Sequence, residues 1–327
     1  MRRVAIVSAI LVVAVAAGLF LWAGAQFSAP GPRARHGTQT IVLIRPGIGG
    51  AGIAQALKMA GVIRNAPLFQ WEVRLKGEAA QLKAGEYAVP SGASMARVAA
   101  ILIAGKSVEH KLTIPEGFTS QMAYNAVRAD KVLIGRAGPV SPEGSLLPDT
   151  YLFIRGTTRA QLLARMHKAQ LRFLAKVWPK RAAGLPLKTP AEAVILASIV
   201  EKETALPQER SHIAAVFENR LRLGMKLQSD PTIIYGITKG YPLGHPILQS
   251  ELTAATPYNT YIIDGLPPTP ICNPGRASIL AVLHPLKTKD LYFVADGSGG
   301  HVFAATIAQQ DKNVARWRQI EKAQTHR

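Results

Sequence analysis

The chain has 327 residues, 48% of them hydrophobic, with 39 Lys and Arg against 20 Asp and Glu, a formal net charge of +19. That length suffices for one large or two modest domains with a packed core, and the composition is not that of a disordered chain. The charge calls for an anionic partner. Aromatics at only 6%, with no zinc-ligand spacing, helix-turn-helix signature or RNP-like motif, speak against nucleic acid, and a single cysteine, Cys272, excludes an intramolecular disulfide framework and a multi-thiolate metal centre.

From Val4 to about Ala25 the sequence VAIVSAILVVAVAAGLFLWAGA carries no charge, and about 20 apolar residues are what a helix needs to cross a bilayer core. Ala23-Gly24-Ala25 resembles a small-residue cleavage site, but the apolar core exceeds the roughly 7–15 residues of a cleaved signal. An uncut anchor over residues 4–25 is therefore expected. Met1-Arg2-Arg3 would hold residues 1–3 in the cytoplasm, although Arg33 and Arg35 count against that orientation; the rest of the chain then lies on the periplasmic side of the inner membrane.

Residues 26–38 are Pro/Gly-rich, basic and aperiodic, as a juxtamembrane linker is. A short strand, a Gly-containing turn and a short helix then recur, in residues 41–61, 85–105 and the start of 111–127, so small ββα-type modules are expected over 39–110. The first copy contains Gly47-x-Gly49-x-x-Gly52, the spacing of a dinucleotide fingerprint. A dinucleotide fold needs an acidic residue closing a second strand about 20 residues on. The nearest candidate, Glu72, falls inside the strand-like FQWEVRL, so the glycines read as a variant of the repeated corner.

After Pro148 the pattern turns helical. An amphipathic helix is expected over 158–178 and a close pair over 190–206 and 208–223, the first opened by a Thr189/Glu192 capping box with Pro190 at N1, the second stopped by Gly224. The segment LYFVAD-GSGG-HVFA (291–304) reads as a hairpin.

The helix from Ala193 to Val200 is apolar almost all round except for Ser198, and Glu201 follows directly. A carboxyl at the edge of such a run is desolvated, which favours its protonated form and suits a general acid. On its face stand Ala197, Ser198, Thr204 and Ala205, all small, leaving room for a bulky substrate. Glu203 points about 200° away on a regular helix and is expected to pair with Arg or Lys of a neighbouring segment. On pattern alone an ordinary helix-end carboxylate bridged to Arg210 or Lys202 is the favoured reading of Glu201. His245, His284 and His301 lack ligand spacing and read as structural or surface residues.

LASIVEKET (196–204), IAAVFENRL (213–221), GMKLQSDPT (224–232), TPYNTY (256–261), GLPPTPICNPG (265–275) and EGSLLPDTYLF (143–153), in that setting, resemble the endolytic murein transglycosylase family (MltG, YceG-like). The resemblance implies an α+β fold: the membrane helix, a small LysM-like glycan-binding α/β subdomain over 39–110, and a larger mixed helical/β catalytic domain over 111–327. It places the catalytic acid at the first glutamate of E-K-E-T, Glu201, and Glu143 in the surroundings of the site. By their own chemistry, Tyr258, Asn259 and Tyr261 suit sugar faces and N-acetyl groups or else a packed, hydrogen-bonded turn; Gln228, Ser229 and Asp230 are candidate sugar contacts or a plain turn; and Ser198 and Thr204 are candidates as the small polar residues beside Glu201. The implied reaction cleaves MurNAc–GlcNAc bonds of nascent peptidoglycan with formation of 1,6-anhydro ends, beside penicillin-binding protein synthases. One carboxyl group serves it, because the substrate's own C6 hydroxyl is the nucleophile; no metal or cofactor is expected. The alternatives are a muramidase, with Asp230 or Glu143 as second carboxylate, and a non-catalytic glycan-binding scaffold.

Overall fold

Helix α1 (Arg2–Ser28) opens the chain in the computed structural model, which describes residues 2–325. Met1, the first residue of the expected cytoplasmic stretch, and residues 326–327, the end of the expected catalytic domain, lie outside the described residues. Residues Ile6–Ser28 are long and apolar enough to cross a membrane, and most of α1 is exposed until its last turns, where Ala23 and Phe27 are buried. The chain divides into two compact units, residues 1–110 with 152–157, and residues 111–151 with 158–327.

The first unit follows α1 with β1 (Gln39–Ile44), α2 (Gly49–Met59), α3 (Ala66–Leu75), β2 (Gly85–Pro90) and α4 (Met95–Ala104). Strands β1 and β2 pair antiparallel, from Gln39 opposite Pro90 to Ile44 opposite Gly85, so two helices stand between the strands in sequence. Val42 and Ile44 point inward while Ile41 and Leu43 point out, the two-residue period of a half-buried strand. The core joins Phe27, Leu57, Phe69, Tyr87, Val98 and Leu102.

Two expectations change here, the repeated ββα modules, which give way to a single β-α-α-β-α order, and the strand over FQWEVRL, while the reading of the glycines as a turn is kept. The antiparallel pairing leaves no parallel βαβ unit, so Gly47-x-Gly49-x-x-Gly52 does not form a dinucleotide cradle. Gly47 and Gly49 instead take φ of 79° and 62°, left-handed turns that glycine adopts without a Cβ clash. FQWEVRL is helix, not strand: Asn65 caps α3 by accepting from the Leu68 N–H at 3.0 Å, with proline in the first turn, and Phe69 and Val73 lie one turn apart on its buried face.

The chain passes between units within β3 (Glu109–Thr113), again within β4 (Thr150–Ile154), and back after Thr157; β3 and β4 pair with each other. The second unit contains α5 (Ser120–Ala129), α6 (Arg159–Val177), α7 (Pro190–Glu203), α8 (Arg210–Arg222), α9 (Asp230–Thr238), α10 (Gln249–Leu252), α11 (Arg276–Leu283), the antiparallel hairpin β5 (Tyr292–Ala295) and β6 (His301–Ala304), and α12 (Ile307–Thr325). Helix α7 is its spine, with every residue from Leu196 to Val200 buried against α8 and α11.

Thr189 caps α7 by accepting from the Glu192 N–H at 3.2 Å. The Glu192 carboxylate accepts from the Lys188 N–H, so the expected box is only half formed. The helix ends at Glu203 instead of Leu206, because extended Thr204 accepts from the Leu206 N–H at 3.0 Å and donates to Glu209 at 3.1 Å, and Pro207 disfavours helix in the residue before it. Gly224 follows α8 with φ of 65°, as a C-terminal glycine does.

Candidate active site

Glu201 closes the buried run of α7, and its side chain is only 7% exposed. Its Oε2 accepts two hydrogen bonds, from the Gly275 N–H at 2.9 Å and the Ser278 hydroxyl at 2.7 Å, both from the start of α11. Oε1 faces Arg210, whose Nη2 is 3.9 Å away, and the same Nη2 is 3.9 Å from Glu116. Both donors thus fall on Oε2, and Oε1 accepts no hydrogen bond among the described residues.

Glu116 lies in the turn between β3 and α5, and its side chain is 45% exposed. Partial burial and the negative charge of Glu201 raise its pKa, while Arg210 and Arg276 oppose the rise. Its carboxyl group lies against the backbone of Gly275, where a Cβ would push that half-exposed side chain aside. Arg276 is tied in turn to Asp149 at 2.9 Å. Glu116, Gly275 and Ser278 were missed as site residues: each comes from a segment far from 201 in sequence, and nothing in IPEG (114–117) or NPGRAS (273–278) signals by period or charge that it meets α7. Arg210 was visible only as a possible ion-pair partner.

Several sequence-derived sugar contacts gather elsewhere. Ser229 donates to Glu203, Asp230 accepts from the Tyr261 hydroxyl at 2.6 Å, and Gln228 accepts from Arg220 Nη1 at 3.0 Å. Ser229 thus bonds Glu203, Asp230 and Tyr261 lie close enough to act on its charge, and Gln228 joins the cluster through Arg220. The expected pairing of Glu203 with a cation is replaced by the Ser229 hydroxyl, with Arg220 as the facing charge. Desolvation, only partly offset by that hydrogen bond, pushes the pKa of Glu203 up to about 7.

Others are absorbed into the framework. Ser198 is fully buried, donates to the Ile195 carbonyl at 2.7 Å and accepts from the Ile271 N–H at 2.9 Å, and its carbonyl accepts from the Cys272 thiol. Thr204 is buried in the turn that ends α7, and Ala197 is covered as well. The space expected beside Glu201 at these small residues is filled by the 271–272 segment and the turn after α7. Asn259, 1% exposed, donates to the carbonyls of Leu252 and Ala254 at 3.0 and 2.8 Å and fixes its own turn. Tyr258 shares a hydrogen bond with Thr269 at 2.8 Å and packs edge-on to Tyr235.

Glu143 accepts from the Ser120 N–H at the start of α5 at 2.7 Å, the Tyr235 hydroxyl at 3.1 Å and Asn273 Nδ2 at 3.4 Å, and burial raises its pKa. Its oxygens are engaged in joining α5, α9 and the 265–275 loop. Asp230 and Glu143 are engaged in these other clusters, and the carboxylate that shares Arg210 with Glu201 is Glu116.

The YceG-like family model matches residues 42–316, which include all of these positions. The chain belongs to the YceG-like family. A member from Bacillus subtilis, named endolytic murein transglycosylase, is 29% identical over 293 residues, covering 80% of each chain. One of the same name from Streptococcus pneumoniae serotype 2 is 30% identical over 312 residues, 80% of this chain and 55% of the longer pneumococcal protein. A crystal structure of a YceG-like protein from Listeria monocytogenes superposes with a TM-score of 0.50 at 29% identity, covering 84% of this chain and 98% of that one.

Proposed function

We propose that this YceG-like protein is an endolytic peptidoglycan lytic transglycosylase with Glu201 as its single acid and base. The observation that carries the reading is the carboxyl group at the end of a buried apolar helix with Oε2 held by Gly275 and Ser278, which leaves Oε1 to exchange a proton. Protonated Oε1 gives its proton to the oxygen joining C1 of MurNAc to C4 of GlcNAc. The C1–O bond breaks as positive charge develops at C1. The carboxylate then takes the proton of the MurNAc C6 hydroxyl, O6 bonds to C1, and a 1,6-anhydro end forms with Glu201 protonated again. Water is not consumed.

The membrane anchor and the LysM-like subdomain belong to the same reading. The strand-helix-helix-strand order of the first unit supports a small glycan-binding module, and helical Ala23-Gly24-Ala25, with Ala23 buried, supports an anchor that stays uncut. An anchored enzyme with its active site on the periplasmic side acts on new strands next to the synthases that extend them.

Digestion of purified peptidoglycan followed by mass spectrometry tests the reaction. Anhydro ends are one water lighter than reducing ends, and reducing ends alone would replace the proposal by its competitor, a muramidase. That second reading is favoured by one feature, the Glu116 carboxylate beside Glu201, since hydrolysis ordinarily employs two carboxylates flanking the scissile bond.

A further inference from the structure

Seventy-one residues pass before the first acidic side chain, Glu72, and Glu72 is itself buried and 3.7 Å from Lys76. Arg33, Arg35 and Arg64 of this acid-free stretch line one pocket of about 600 Å³ together with His36. Among the described residues these three guanidinium groups have no hydrogen-bonding or carboxylate partner. Arg64 also borders a smaller pocket with Trp22, Gln26, Asn65 and Leu68. Trp22 and Leu68 in turn line an open apolar groove of about 530 Å³ with Leu19, Phe20, Pro67 and Trp71. Because neighbouring pockets share residues, they form one track in the first unit, hydrocarbon at one end and guanidinium at the other.

Helix α1 gives the depth of that track. At about 1.5 Å per residue, Phe20 stands about 21 Å along the helix from Ile6, inside a hydrocarbon core about 30 Å thick. The Trp71 ring is 6.1 Å from that of Phe20 in an edge-on contact and is 45% exposed, so it shares that depth. Helix α3 cannot drift from α1, because Phe27 packs on Phe69 and under the Lys76 ammonium, 4.2 Å from the ring centroid. The outer end of α1 carries Gln26 and Ser28, the first polar side chains after Ser8, and Gln26 shares its pocket with Arg64. Aromatic side chains at the edge of the hydrocarbon, followed by cations at the level of the headgroups, are the arrangement a membrane interface favours.

We propose that this track binds one anionic phospholipid of the leaflet at the C-terminal end of α1, an acyl chain lying against Phe20, Leu68 and Trp71 and the phosphate facing Arg64, with Arg33 and Arg35 beyond it. The proposal rests on the reading of α1 as a membrane anchor. Its consequence is that the first unit is held on the membrane surface at a set height.

The test uses the full chain reconstituted into vesicles of phosphatidylcholine mixed with an equal amount of phosphatidylglycerol. Electron paramagnetic resonance of spin-labelled lipids reads the relative association of the two headgroups. The wild type is expected to favour phosphatidylglycerol by about fivefold or more at low salt, and the variant Arg33→Gln/Arg35→Gln/Arg64→Gln to bring the ratio near one. With brominated acyl chains, a share of the wild-type tryptophan fluorescence is quenched that Trp71→Phe removes, while Trp22 continues to report on α1. Equal association with the wild type, an unchanged ratio in the arginine variant, or an unquenched Trp71 overturns the lipid site. Flotation separates the two ideas: a chain that fails to float with the vesicles overturns anchor and site together, and one that floats without discriminating overturns the site alone.

Discussion

Glu201 and Glu203 are two residues apart on one helix and meet different surroundings. On one side of α7, Glu201 is held by a backbone N–H and a hydroxyl, with the Arg210 guanidinium shared between it and a second carboxylate. On the other, Glu203 has one hydroxyl donor and lies near Asp230 and Arg220, and desolvation lifts its pKa to about 7. Raised proton affinity alone would single out Glu203 as the acid. Its cluster, however, is tied into the framework: Arg220, 8% exposed, donates to the carbonyls of Leu291, Lys226 and Leu227 and to Gln228, linking α8 to the hairpin and to the start of α9. A buried carboxyl can be perturbed because it is structural as readily as because it is catalytic.

The sharpest way to break this contrast is to neutralise each carboxylate in turn. Glu201→Gln should reduce the release of anhydro ends by about 10²–10⁴-fold while circular dichroism and the melting temperature stay near wild type. Glu203→Gln should keep activity within about tenfold; the reverse ranking would move the acid to the other side of the helix. Removing Arg220, the support of the Glu203 side, acts on folding: Arg220→Ala leaves several buried acceptors unpaired and should cost about 3 kcal/mol or more in denaturant unfolding.

On the Glu201 side, Gly275→Ala places a Cβ where the Glu116 carboxyl group lies; that half-exposed side chain swings aside while the Gly275 N–H keeps its place. We expect kcat/KM to fall by no more than about tenfold, through the loss of Glu116 from its position beside Arg210. The pH dependence of stability separates the two carboxylates more finely. Between pH 4.5 and about 7 the folded chain keeps a proton on Glu203 that the unfolded chain has released, so its contribution makes stability fall as pH rises through that window and level off above it. Glu203→Gln should flatten this fall by about 1–3 kcal/mol, leaving the parallel slope from Glu218, also raised to about 7 by desolvation. The smallest effect expected is that of Ser278→Ala, which leaves Gly275 as the donor to Oε2 and should lower kcat by a few-fold, about 1 kcal/mol.

Much of the framework was legible along the chain. The uncharged run of α1, the caps Thr189 and Gly224, the 3.6-residue period of α6 and the two aromatic and β-branched arms around Gly297-Ser298-Gly299-Gly300 are local signals, set by residues within one or two turns of each other. FQWEVRL misled because its apolar and aromatic residues suit a strand, whereas Asn65 and the following proline start a helix whose Phe69 and Val73 fill a core closed by Phe27 and Tyr87. Candidate sugar contacts such as Ser198 and Asn259 were chosen for chemistry and spacing, and both proved to be buried polar groups satisfied by the backbone, as buried polar groups generally are.

By itself the sequence determined where α1, α6 and α7 begin, that one carboxyl group stands at the end of a buried run, and that no acid relieves the positive charge of the first 71 residues. Only the tertiary structure decided what that carboxyl group meets. Glu116, Arg210, Gly275 and Ser278 reach Glu201 from segments up to 85 residues away, and Gln228, Ser229, Asp230 and Tyr261 go to its neighbour instead. Hydrophobic period and capping are read within a few residues, whereas hydrogen bonds and ion pairs act over a few ångströms in space, and side chains distant along the chain come that close only once the core has packed.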